Sequence, residues 1–79
     1  MNSPGYGMVI QWSDEDQCYV VFLPDFAGFV MQPCTDGATH EEAAKHGQEL
    51  LETLIELFQE EGRPLPIPKT FPEKPLQVA

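Results

Sequence analysis

Seventy-nine residues carry 13 Asp and Glu against four Lys and Arg, a formal net charge of −9. Such a surface repels a phosphate backbone, so direct nucleic-acid binding is not expected, and a chain this short allows one domain with a thin core. Cys18 and Cys34 set no disulfide framework, no apolar run approaches the roughly 20 residues of a membrane span, and residues 1–8 have neither the basic nor the apolar part of a secretory signal, so the expected place is the cytoplasm, with reduced thiols.

Residues 6–13 read as a first strand, with Met8, Ile10 and Trp12 to one side and Val9 and Gln11 to the other. Asp14, Glu15, Asp16 and Gln17 make a polar turn. A second strand over 18–23 is apolar on both faces: Cys18, Val20 and Phe22 point one way, Tyr19, Val21 and Leu23 the other. Pro24 has no N–H to give to a ladder and ends it. Residues 25–28 form a short exposed turn, in which an Asp side chain bonds backbone N–H groups and Gly28 is free to take positive φ. A third, short strand is expected over 29–32 and a loop over 33–38.

A helix is expected from Thr39 to Glu61. Thr39 and Glu42 form a capping box. Ala43, Gly47, Leu50, Leu51, Leu54, Leu57 and Phe58 share a broad face at 3.6 residues per turn. Gly62 and Pro64 stop the helix. Beyond it, Pro64, Pro66 and Pro68 alternate with Leu65 and Ile67, the pattern of an extended edge segment. The Pro-rich residues 69–79 are expected to be loose. There are no internal repeats.

Two consequences follow for partners. One helix covers one face of the sheet, and the second strand is apolar on both, so a second copy or another protein is expected on the other face. The outer side of the helix presents Glu41, Glu42, Glu49, Glu52, Glu56 and Glu60, with Lys45 among them; a basic protein complements such a ridge. The helix also exceeds the strands in length, which leaves its last turns available to a partner.

Chemistry is sparse. His40 and His46, six apart, lie on different helix faces and cannot share a metal within the helix. Glu42 and His46 are spaced for a surface ion pair. Cys34 and His40 approach through the loop, but no third group is placed to orient the histidine. The acids 14–16 lack the glycine and the spaced ligands of a calcium loop. No catalytic residue, metal or cofactor is expected.

The order of these pieces resembles the HicB-like antitoxins of toxin–antitoxin pairs. The matching residues are the acidic turn Asp14 to Asp16, the strand closing in Leu23-Pro24-Asp25, Gly28, Gly37-Ala38-Thr39, Glu41-Glu42-Ala43, Glu60 to Gly62 and Pro66-Ile67-Pro68. They span about residues 6–68. The resemblance implies an α+β domain of order β-β-β-α-β: a three-stranded antiparallel sheet packed on one long helix, with a short fourth strand, resembling a partial ribonuclease H fold. It implies neutralisation of a small, basic, HicA-like toxin that cleaves mRNA with a histidine, by covering its RNA-binding and catalytic surface. The stretch 32–36 looks longer than the family's connection. Many relatives also carry a C-terminal DNA-binding domain, and the seventeen residues after Gly62 are too short and Pro-rich for a helix-turn-helix.

The expected reading is therefore a single-domain antitoxin without enzymatic activity, a homo-oligomer that contacts its toxin through Asp25 and Phe26 at the exposed turn and Glu49, Glu52, Glu56 and Glu60 on the helix. Trp12, Tyr19, Val21, Phe22, Leu50, Leu54 and Phe58 are expected in the core or the oligomer interface. The alternatives are a stand-alone oligomeric HicB-like module without a toxin and, third, a degenerate hydrolase.

Overall fold

Residues 5–71 are described by a computed structural model. Strands β1 (Val9–Ser13), β2 (Cys18–Phe22) and β3 (Thr35–Gly37) form an antiparallel sheet in the order β1-β2-β3. One helix, α1 (His40–Glu60), packs on the sheet, and a single 3₁₀ turn occupies Pro24–Phe26. This is a small α+β fold. The register pairs Ile10 with Val21 and Trp12 with Tyr19, which puts these side chains on the helix side. Val9, Val20 and Phe22 fall on the other side, and none of them joins the core cluster.

The core is built where α1 meets β2 and the 3₁₀ turn. Val21, Leu23, Phe26, Ala43, Leu51, Leu54 and Phe58 are buried, and Tyr6, Met8, Ile10, Tyr19, Leu50 and Leu65 pack around them. Removing each large side chain from water contributes about 1.5–3 kcal/mol, which a thin core needs. Phe26 sits edge-on to Phe58, with ring centroids 5.6 Å apart. The expected helix face holds except at its margin: Ile55 is buried, while Leu57 is 41% exposed.

The helix starts as its capping box dictates. Thr39 Oγ1 accepts from the Glu42 N–H at 3.0 Å, and Glu42 Oε1 accepts from the Ala38 N–H at 2.6 Å. It ends with Gly62 at φ +70°, a left-handed residue that turns the chain away. Gly37 marks the closest approach of sheet and helix. A Cβ there would lie 2.7 Å from Ala43 Cα, so a side chain cannot be added without moving backbone.

Two strands differ from expectation. The third strand is Thr35–Gly37, not 29–32. In place of a strand over 29–32, the Gln32 side chain pairs with Leu23 as a backbone would, donating to its carbonyl and accepting from its N–H, both at 2.9 Å. That side-chain amide ends the need for a strand partner there. Among the described residues no strand follows the helix. The segment 63–71 has no regular secondary structure, since Pro64, Pro66 and Pro68 give no N–H to a ladder. The residues expected to be loose from 72 onward lie outside the described ones.

Candidate functional site

The solvent side of α1 carries the strongest charge feature. Glu49, Glu52, Glu56 and Glu60 follow one another at spacings of three and four, so they stand in one row opposite the buried face, about 16 Å long. Glu52 lies 3.5 Å from the Gln48 amide. Among the described residues, Glu49, Glu56 and Glu60 make no side-chain hydrogen bond or ion pair. The last helical turn contains no basic residue, and Glu61 follows as the C-cap.

That arrangement is electrostatically unfavourable. The C-terminal end of a helix bears the negative end of its dipole, where acids cost about 0.3–1 kcal/mol. The i,i+4 run Glu52, Glu56, Glu60 adds repulsion of about 0.2–0.5 kcal/mol per pair. Arg63, which follows the helix, is already engaged: it bonds Glu61 at 3.3 Å and lies 4.1 Å over the Phe58 ring. Glu41 and Glu42, by contrast, sit at the favourable N-terminal end.

Asp25 and Phe26 are corrected. Both were expected at an exposed turn, and both are buried. Phe26 has no accessible surface and fills the core against Tyr6 and Phe58. Asp25, 8% exposed, accepts from the Gly7 N–H at 2.8 Å and the Lys69 N–H at 2.9 Å. It clamps the N-terminal segment to the segment after α1, and neither side chain is presented to a partner. The Tyr6 hydroxyl reinforces the clamp, donating to the Pro66 carbonyl at 2.6 Å. Burial, and then the charge of Asp25, push the Tyr6 hydroxyl above its usual value.

The other expected interface residues divide. Val21, Leu54 and Phe58 are buried, and Tyr19 and Leu50 pack on the core. Trp12, although on the helix side, is 48% exposed, because α1 lies over β2 and β3 and barely reaches β1. Its ring meets Tyr19 edge-on at 5.1 Å, and its Nε1 donates to Asp14 at 2.9 Å. Phe22 stands half-buried on the uncovered sheet face with Val9, Val20 and Cys18. The overhanging end of α1 is not free on its inner side, where Phe58 covers Phe26 and Phe29.

The titratable groups elsewhere serve the fold. His40 lies against the Tyr19 ring at 4.1 Å, and His46 Nδ1 donates to the Asp36 carbonyl at 2.6 Å. Glu42 caps the helix rather than meeting His46. Cys34 Sγ donates to Gln32 at 3.3 Å, not to His40. Burial pushes the Cys34 thiol up, partly opposed by a backbone hydrogen bond from Leu23; burial with Asp36 and Asp16 pushes Cys18 up. Both thiols are thereby held protonated at neutral pH. Among the described residues no group of three His, Cys, Asp or Glu is placed to hold a metal, and no helix is long and apolar enough to cross a membrane.

The fold and this surface thus define a small α+β protein with an uncompensated acidic ridge. No protein-family model, curated protein or solved structure matches the chain.

Proposed function

We propose that this protein is a HicB-like antitoxin, which binds a small basic HicA-like toxin and neutralises it by covering the surface that holds and cleaves mRNA. The observation that carries the reading is the row Glu49, Glu52, Glu56 and Glu60, which ends at the negative end of α1 with no basic residue in the last helical turn. A basic partner relieves that repulsion, so binding energy and charge steering come from the same residues. The motif order from the acidic turn to Pro66-Ile67-Pro68 supports the family assignment. On this reading the sheet and helix are a partial ribonuclease H-like unit, and the segment after α1 stands where a short fourth strand would. The protein acts in the cytoplasm by occlusion, with no catalysis and no cofactor. It does not touch nucleic acid itself, because its net charge is −9.

The second reading is a stand-alone oligomeric module of the same kind, favoured by the uncovered sheet face at Val9, Val20 and Phe22. One experiment separates the two. The tagged protein is purified from its native host and its complexes are weighed by light scattering. The antitoxin reading expects a stoichiometric basic partner, smaller than about 100 residues, whose RNA cleavage stops when this protein is added and resumes with Glu56→Lys/Glu60→Lys. A homo-oligomer without such a partner selects the stand-alone module.

A further inference from the structure

We infer that β1 is a self-association edge, at which two copies of this chain pair their Val9–Ser13 strands antiparallel across a two-fold axis and join their sheets. β1 is the first strand of the order β1-β2-β3, so among the described residues one side of it has no strand partner. The segment after α1 does not fill this edge among the described residues. It is held beside Tyr6 and Gly7, before β1 begins, through Pro66 and Lys69. An open row of backbone donors and acceptors templates a further strand, and sheets that avoid this place Lys, Pro or inward charges on the edge. None stands in Val9-Ile10-Gln11-Trp12-Ser13.

The choice of a second copy rests on charge. Two chains of −9 approach each other only through uncharged surface. The first charged residue of the sequence is Asp14, just past the end of β1. The helix, whose six glutamates are the largest group of acids, is on the opposite flank of the sheet from this edge, over β2 and β3. A basic partner has no electrostatic reason to prefer β1, and for an identical chain the outer sheet face is the poorer place, because Asp36 stands opposite Val20 there.

The strand is also self-complementary. Centred on Gln11, the two-fold places Trp12 of each copy beside Ile10 of the other, on the helix side that α1 leaves uncovered. Aromatic and β-branched side chains across strands are a favourable pair. This pairing covers Trp12, now 48% exposed, and brings Val9, 38% exposed, against Ser13 of the second copy.

Trp12 is the one tryptophan of the chain, so its emission reports on this edge. The full-length protein is measured by light scattering and fluorescence over a concentration series. Pairing expects a mass rising from 8.9 kDa to twice that, with a parallel blue shift of Trp12 emission. Trp12→Lys is expected to remain at 8.9 kDa with unchanged far-ultraviolet circular dichroism. Gln11→Glu, which sets two carboxylates opposite each other, is expected to weaken association about tenfold. Val20→Lys, on the outer sheet face, is expected to leave the dimer intact. A wild-type chain that stays at 8.9 kDa throughout overturns the proposal. So does a dimer that survives Gln11→Glu unchanged, or one lost with Val20→Lys alone, the signature of face-to-face packing. None of these readouts requires a toxin.

Discussion

Asp25 and the glutamates of α1 carry the same functional group and live under opposite rules. The Asp25 carboxylate is almost out of water, and both its oxygens accept backbone N–H groups, from residues 18 and 44 positions away. Each such bond to a charged acceptor is worth about 1.5–3 kcal/mol, which offsets the cost of burying the charge. Glu49, Glu56 and Glu60 are in water, near one another and without a donor. A buried acid that is fully bonded organises the chain. Exposed acids that repel one another add nothing to the fold, so their arrangement is read in terms of what they meet outside it.

The comparison breaks most visibly at Asp25. Asp25→Ala leaves the Gly7 and Lys69 N–H groups without their acceptor and should destabilise the protein by about 3 kcal/mol in urea denaturation. Trypsin should cut after Lys69 sooner in this variant, because the clamp on that segment is gone. A variant with unchanged stability would place Asp25 among the surface acids. At the other end of the scale of helix charges, Thr39→Ala removes the acceptor of the Glu42 N–H and should cost about 1 kcal/mol, read as a lower denaturation midpoint with unchanged slope. Glu41 and Glu42 remain favourable there, so the loss measures the cap alone.

A change of sign sharpens the comparison further. Glu60→Lys replaces a repelling acid with a cation at the negative end of the helix and four residues after Glu56. It should stabilise the isolated protein by about 0.5–1 kcal/mol. The gain should shrink in high salt, where surface charges are screened. Stabilisation of the free protein together with weaker partner binding is what a residue kept for recognition predicts. Destabilisation by Glu60→Lys would mean that the ridge belongs to the fold.

The sequence made the hairpin and the helix legible because each is written locally. The polar turn at Asp14 to Gln17 separates two apolar runs that end at Pro24, and Thr39, Glu42 and Gly62 mark the helix ends. The third strand was hidden for the opposite reason. Phe29, Val30 and Met31 have the composition of a strand, yet the pairing at Leu23 is taken by the side chain of Gln32, which no periodicity reports. Thr35–Gly37 is polar and short, and its one sign was Gly37, needed for the close approach of the helix backbone. Asp25 was legible in kind, as a carboxylate bonding backbone N–H groups, but its partners lie far along the chain rather than in its own turn. Trp12 was expected in the core or at an oligomer interface; its exposure depends on where α1 lies across the sheet, which a strand pattern cannot carry.

The smallest effect tests the same contrast through pH. Tyr6 ordinarily loses its proton near pH 10.0, and burial with the Asp25 charge raises that value in the folded protein. The folded state therefore holds this proton more tightly than the unfolded state. The resulting stability is complete below pH 10 and is lost as pH rises through the folded value. Cys18 and Cys34, raised from 9.0, add losses of the same sign that begin somewhat lower. Tyr6→Phe loses the hydrogen bond to Pro66 and should cost about 0.5 kcal/mol at neutral pH. It also removes one titrating group, so its stability should fall less steeply than wild type above pH 10 and the two curves should converge. Glu60→Lys, remote from this cluster, should shift the whole curve without changing that alkaline slope. Parallel curves for Tyr6→Phe and wild type would show that Tyr6 is not held in the clamp with Asp25, and the buried half of the comparison would rest on Asp25 alone.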